Sequence, residues 1–203
     1  MKKALSILLS IILLISICPL GVFEFTVSAE TVSGTCGDNV TWEYDTETAT
    51  LTISGTGAMS NYSGSSYVTT APWKSYYNTM KTVVINSGVT QVGDCAFYGC
   101  EGLTSITIPD SVTSIGGCAF WDCTGLTSIT IPDGVRSIGW YAFSGCSGLK
   151  TAGPIGGGYD YEFGWTDKIP YYAFSGCTGL TSVTIPTIRA GFLTCPFFVP
   201  KRP

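Results

Sequence analysis

One 23-residue row, written three times in succession, constrains this chain more than any other feature. Residues 81–103 read KTVVINSGVTQVGDCAFYGCEGL, residues 104–126 read TSITIPDSVTSIGGCAFWDCTGL, and residues 127–149 read TSITIPDGVRSIGWYAFSGCSGL. Phe97, Phe120 and Phe143 therefore stand 23 apart, as do Cys100, Cys123 and Cys146, and Leu103, Leu126 and Leu149. Self-similarity at such a period is the mark of a solenoid. A single row shows why. Ile106 and Ile108 alternate with Thr107, so the two isoleucines share one face of a short strand. Pro109 has no N–H for a ladder and ends that strand, and Asp110 and Ser111 are turn formers. Val112 and Ile115 supply a second inward side, and Gly116-Gly117 turns the chain again. Ala119, Phe120 and Cys123 make a third. One row cannot cover three apolar sides by itself, and stacking the next row does so.

The pattern L-T-S-I-T-I-P-D-x-V-x-S-I-G-x-x-A-F-x-x-C-x-x-L resembles the repeat of the BspA-type leucine-rich repeat surface proteins. The resemblance covers residues 81–186. It implies a leucine-rich repeat solenoid, mostly β and irregular, with one short strand per 23-residue coil and about five coils. It also implies a secreted or surface-exposed protein that binds or adheres to host or matrix proteins.

Before the rows, residues 1–29 read as an export signal, with Lys2 and Lys3 ahead of an apolar run and Val27-Ser28-Ala29 as a small-residue cleavage site. The run carries Ser6, Ser10 and Ser16 and is short for an uncleaved membrane anchor, so no span is expected in the mature chain. Residues 30–80 show no repeat. Val40, Trp42 and Tyr44 alternate with polar residues, as do Leu51 and Ile53 beyond the turn-like Asp45-Thr46-Glu47, which predicts a β-hairpin. Solenoids need their open ends covered, so this segment reads as an N-terminal β cap, with Ala71-Pro72-Trp73 and Tyr76-Tyr77 docking on the first row. BspA-type proteins begin with a similar segment. The rival reading is a small binding domain.

The fourth row, residues 150–180, is 31 long. Its strand looks lost, because Ala152-Gly153-Pro154 stands where I-x-I-P is expected. Gly156-Gly157-Gly158 opens a loop carrying Tyr159, Tyr161, Phe163 and Trp165, whose alternation would place four rings on one side of an extended segment. The frame returns at Ala173-Phe174-Ser175-Gly176-Cys177. A fifth row starts at Thr181 and stops abruptly after Pro186. Residues 187–203 match neither a row nor a polar cap, as a shifted coding frame near Thr187 would produce.

Chemistry is narrowly bounded. Histidine is absent, which removes the commonest general base and metal ligand. Only 12% of residues are charged, net charge is −4, and neither sign forms a block, so nothing predicts nucleic acid as a partner. No nucleophile elbow, phosphate loop or dinucleotide fingerprint occurs. Asp160 and Glu162 are a carboxylate pair in a Gly-rich loop and read as solvated rather than catalytic. No enzymatic role and no cofactor is expected. Cys95, Cys100, Cys118 and Cys123 form two C-x4-C pairs, but the spacing belongs to the repeat and Tyr141 and Tyr172 replace the first cysteine in later rows, so zinc is not expected. The cysteines read either as a column of buried thiols or, in an exported protein, as one or more disulfides.

Two surfaces remain as binding candidates. Ser105, Thr107, Ser128 and Thr130 face outward from the strands as a neutral ladder of hydroxyls, although threonine suits any strand surface. The rings of Tyr159, Tyr161, Phe163 and Trp165 are anchors of the kind found in binding sites; their rival role is to patch the gap in row four. The expected function is a non-enzymatic binding or adhesion module for an extracellular protein or glycan. A carbohydrate-active accessory protein using loop 156–167 and a structural spacer of an envelope protein are the alternatives.

Overall fold

The computed structural model describes residues 30–65, 68–153, 158–160, 164–166, 170 and 172–184. The export signal and the tail 187–203 lie outside the described residues, as do Tyr161 and Phe163.

The chain opens with an antiparallel meander of β1 (Thr31–Gly37), β2 (Val40–Asp45) and β3 (Thr50–Gly55). The alternation seen in the sequence is the reason. Val40, Trp42 and Tyr44 are buried on one face and Thr41 and Glu43 are exposed on the other. The β2–β3 turn is held by the Asp45 carboxylate, which accepts from the Glu47 and Thr48 N–H groups at 2.8 and 3.1 Å. Two short pieces follow: β4 (Gly57–Ala58), then a small hairpin of β5 (Gly64–Ser65) and β6 (Val68–Thr69).

The rows then begin. The first gives β7 (Thr82–Ile85) and β8 (Val89–Val92), the second β9 (Ser105–Thr107) and β10 (Ser114–Ile115), and the third β11 (Ser128–Thr130) and β12 (Ser137–Ile138). Each row therefore holds two strands where the sequence predicts one. The second comes from the V-x-x-I segment and joins a parallel sheet in the order β12-β10-β8-β4. Equivalent residues of adjacent rows lie side by side, Val83 opposite Ile106, and Val92, Ile115 and Ile138 in a line; the first-strand side divides between β9 and β11, one sheet ending at β9 and another starting at β11.

The coil geometry starts before the first recognisable row. β3 pairs in parallel with β7, Leu51 opposite Val83 and Ile53 opposite Ile85, and β4 pairs in parallel with β8. Trp73 is fully buried and stacks on Phe97 with centroids 5.6 Å apart, and its indole N–H donates to Ala96 O at 2.9 Å. The segment 50–80 thus runs as a coil of its own, with a tryptophan where later rows carry phenylalanine.

The third side of each row closes the core. Trp73, Phe97, Phe120, Phe143 and Phe174 form one continuous stack, with successive centroids 5.6, 5.3, 5.4 and 5.2 Å apart. Leu103, Leu126 and Leu149 and Ala96, Ala119 and Ala142 are fully buried beside it. Burying a phenylalanine contributes roughly 1.5–3 kcal/mol, and each row repeats that contribution.

Row four departs from expectation. Its strand is kept as β13 (Thr151–Gly153), with Ser128 opposite Thr151 and Ile129 opposite Ala152. A ladder is made by main-chain groups, and Ala152 fills the inward place while 4% exposed. The loop beyond forms a hairpin of β14 (Gly158–Asp160) and β15 (Gly164–Thr166). β14 runs beside β12, where the second strand of row four would otherwise stand. The last strand, β16 (Ser182–Val183), pairs with β13.

Candidate functional site

The hydroxyl ladder lies where the alternation places it. Ser105, Thr107, Ser128 and Thr130 are exposed on the outer face of β9 and β11, and Ser182 and Thr184 continue that face. Neighbouring hydroxyls have a different job: Thr104 and Thr181 donate to the carbonyls of Lys81 and Lys150 in the preceding row, each at 3.0 Å. The aromatic loop is set out by its backbone, in which Tyr159 and Trp165 are cross-strand partners in the β14–β15 hairpin.

A different aromatic surface emerges that the sequence reading did not single out. Tyr98, Trp121, Tyr141 and Tyr172 form a second run of ring contacts, with successive centroids 5.6, 5.0 and 5.0 Å apart, the first tilted at 49° and the other two stacked. Unlike the fully buried Phe97, Phe120 and Phe143, its rings reach the surface, with Tyr98, Trp121 and Tyr141 half-buried and Tyr172 exposed. Tyr172 is 59% exposed, and Trp140, next to Tyr141, is 46% exposed. The stripe changes column as it runs. Tyr98 and Trp121 follow the A-F pair, whereas Tyr141 and Tyr172 precede theirs, so the contact between Trp121 and Tyr141 is diagonal across the repeat. At its N-terminal end the β5 strand covers it: a Cβ placed on Gly64 would come within 2.7 Å of the Tyr98 ring. Further along, Trp140 and Tyr141 follow β12 after Gly139, and β14 runs beside β12.

The backbone under the stripe is unusual. Cys95, Cys118, Tyr141 and Tyr172 occupy the same row position, and all four have positive φ, between 50° and 58°. This left-handed conformation favours glycine and disfavours other residues by roughly 1–2 kcal/mol. Four successive rows nevertheless carry a side chain there. Its repetition at one position in every row marks it as imposed by the turn each coil makes.

The cysteines divide into two sets. Cys100, Cys123 and Cys146 are fully buried beside the phenylalanine stack, as the buried-column reading expects. The thiols of Cys123, Cys146 and Cys177 donate to the carbonyls of Phe97, Phe120 and Phe143 in the preceding row, at 3.2, 3.0 and 3.0 Å. Burial pushes the Cys100 thiol up to about 12. Cys95 and Cys118 are only partly buried. Among the described residues no group of three or more His, Cys, Asp or Glu side chains is arranged to hold a metal ion. No helix among them is long and apolar enough to cross a membrane.

Comparison with known proteins agrees with this architecture. The family described as "BspA type Leucine rich repeat region" matches residues 71–153 and 165–191, in 6 copies. The chain is similar to the Treponema pallidum leucine-rich repeat protein TpLRR, at 25% identity over 70% of this chain and 66% of that one, with a TM-score of 0.42. It is also similar to a leucine-rich cell surface protein from Faecalibacterium prausnitzii, at 25% identity over 76% of this chain and 43% of that one, with a TM-score of 0.44. A leucine-rich repeat protein from Eubacterium ventriosum aligns at 16% identity over 77% of this chain and 78% of that one, with a TM-score of 0.31. No curated protein matches. The family match begins inside the coil that holds Trp73 and extends over more than half of the chain's 203 residues, and the protein is a member of the BspA-type leucine-rich repeat family.

Proposed function

We propose that this protein is a non-enzymatic binding module that works outside the cell, on the surface or released from it, and adheres to an extracellular protein or glycan. The observation that carries the reading is the aromatic stripe Tyr98–Trp121–Tyr141–Tyr172 at the surface, half-buried along its first three rings and exposed at Tyr172. Aromatic rings at a surface combine an apolar body with a polar edge. Such an amphipathic strip suits a partner that brings both apolar and hydrogen-bonding groups. The hairpin in which Tyr159 and Trp165 are cross-strand partners runs beside β12, and the proposal includes the loop 156–167, whose sequence also carries Tyr161 and Phe163. The hydroxyl face of Ser105, Thr107, Ser128 and Thr130 offers a second, neutral face. Family membership and the export signal read in residues 1–29 support the surface placement.

The test is a glycan array and a panel of purified matrix proteins probed with the full chain, alongside Trp121→Ala, Tyr172→Ala and the pair Tyr161→Ala with Trp165→Ala. Binding should appear in the parent and fall at least tenfold in the stripe variants. The unfolding midpoint of Tyr172→Ala should stay close to that of the parent, because this ring is largely exposed. Unchanged binding in every variant would remove the stripe and the hairpin as the surface. Turnover of a polysaccharide in a hydrolase screen would refute the non-enzymatic reading.

A further inference from the structure

We propose that Cys95 and Cys118 are a paired oxidation site and form a disulfide that staples the first row to the second when the folded chain meets a disulfide oxidant.

The geometry comes from the repeat. The two residues occupy one row position in adjacent coils and share one backbone conformation, with φ of 50° and 54°. Main-chain bonds bracket them: Cys95 N–H donates to Gly117 O at 2.9 Å and Phe97 N–H to Ala119 O at 2.8 Å. Both cysteines stand in the turns after β8 and β10, where these bonds join the rows; main-chain segments hydrogen-bonded side by side lie about 4.8 Å apart, inside the Cα separation of about 4.4–6.8 Å that a disulfide spans. The next two rows show what this position does with its side chains, since Tyr141 and Tyr172 stack face to face, 5.0 Å apart and 3° from parallel. The Cys95 and Cys118 thiols influence one another's ionisation, as those of Cys123 and Cys146 and of Cys146 and Cys177 do in the buried column.

Among the described residues, access and hydrogen bonding together separate this pair from the other cysteines, and Cys36 is buried like the column. Cys100, Cys123 and Cys146 are sealed in the core, and Cys123, Cys146 and Cys177 already donate to main-chain carbonyls. Cys95 and Cys118 are partly exposed at the side of the aromatic stripe, where a small oxidant can reach them. The thiols are not activated. Burial and the neighbouring cysteine raise Cys118 to about 11, burial raises Cys95, and the Asp94 carboxylate opposes a thiolate at both. The exchange is therefore slow in each step, and pairing rather than reactivity decides the product.

The reaction balances with a small disulfide as oxidant. One thiol loses its proton and attacks the oxidant's sulfur, forming a mixed disulfide and releasing one small thiolate. The second cysteine, as thiolate, attacks the protein sulfur of that mixed disulfide and releases the other. Two protein thiols become one disulfide, and the oxidant is reduced to two thiols, which take up the two protons.

The experiment supplies the oxidant, so its outcome is independent of where the chain works. The full chain, purified under reducing conditions, is incubated folded with glutathione disulfide. It is then alkylated and digested with pepsin at acid pH, where exchange stops, and linked peptides are mapped by mass spectrometry. Pepsin is needed because no lysine or arginine lies between Lys81 and Arg136. The expected product is a single 95–118 link, with native alkylation of those two cysteines lost. Cys118→Ser should leave Cys95 as a stable glutathione adduct. Cys118→Tyr, the residue that later rows carry at this position, should remain folded by circular dichroism and form no link. Two alkylatable thiols at positions 95 and 118 after oxidation, glutathione on both, or a link that joins the buried column instead would each overturn the proposal.

Discussion

Replacing Phe120 with alanine tests the stacked-row register where it is most constrained. The ring is fully buried and sandwiched, with Phe97 at 5.3 Å and 11° on one face and Phe143 at 5.4 Å and 2° on the other. Truncation leaves a ring-sized hole between two rings held by their own rows, so little collapse is available. Phenylalanine-to-alanine changes at such sites remove about 3–5 kcal/mol. Two ring contacts, each worth roughly 0.5–1.5 kcal/mol beyond burial, place Phe120 toward the upper end. The main-chain bonds of the residue are untouched: Phe120 N–H still donates to Ala142 O, and Phe120 O still accepts from the Cys146 thiol. The loss is thus one of side-chain packing. Phe174 supplies the comparison, because it is half-buried at the C-terminal end of the same stack. Its alanine variant should lose about 1–2 kcal/mol. Urea unfolding followed by circular dichroism measures both. A loss below about 1 kcal/mol for Phe120→Ala, or equal losses for the two variants, would refute the argument that interior rows owe their stability to this stack.

Gly116→Ala should cost about 1–3 kcal/mol in the same assay, because its Cβ would sit 2.5 Å from the Asp94 main-chain nitrogen, which cannot move without parting the rows; a neutral change would show that the rows do not approach so closely. Alkaline destabilisation should also appear. The ordinary thiol value is 9.0 and burial holds Cys100 near 12, so between those limits the unfolded chain releases a proton that the folded chain keeps, and stability falls as pH rises. Cys100 alone contributes a slope of about −1.4 kcal/mol per pH unit in that window, and Cys100→Ala should flatten the urea midpoint's pH dependence accordingly. Finally, translating the other two frames of the coding DNA beyond Thr187 should recover V-x-x-I-G and a further Ala-Phe. If neither frame does, the tail is a native segment, and removing residues 188–203 should lower stability rather than leave it unchanged.

What the sequence determined by itself is whatever locks to its period. Phe97, Phe120 and Phe143 contact one another because equal positions in adjacent rows are stacked, and a spacing of 23 states this without coordinates. The inward isoleucines, the outward Ser105 and Thr107 and the buried Cys100 column follow by the same logic. Tertiary structure decided what breaks the period. The coil over residues 50–80 is invisible in the row pattern because its parallel strand pairing is made by main-chain groups and its column residue is Trp73 rather than phenylalanine. β13 persists under Ala152 for the same main-chain reason, and the extra residues of row four form a hairpin whose place beside β12 no spacing could supply. The aromatic stripe crosses from one row position to another between Trp121 and Tyr141, a diagonal that depends on how far adjacent coils are offset. Its left-handed backbone at Cys95, Cys118, Tyr141 and Tyr172 is likewise a property of the turn each row must make to close, a conformation these residues do not prefer and only the stacked coils impose.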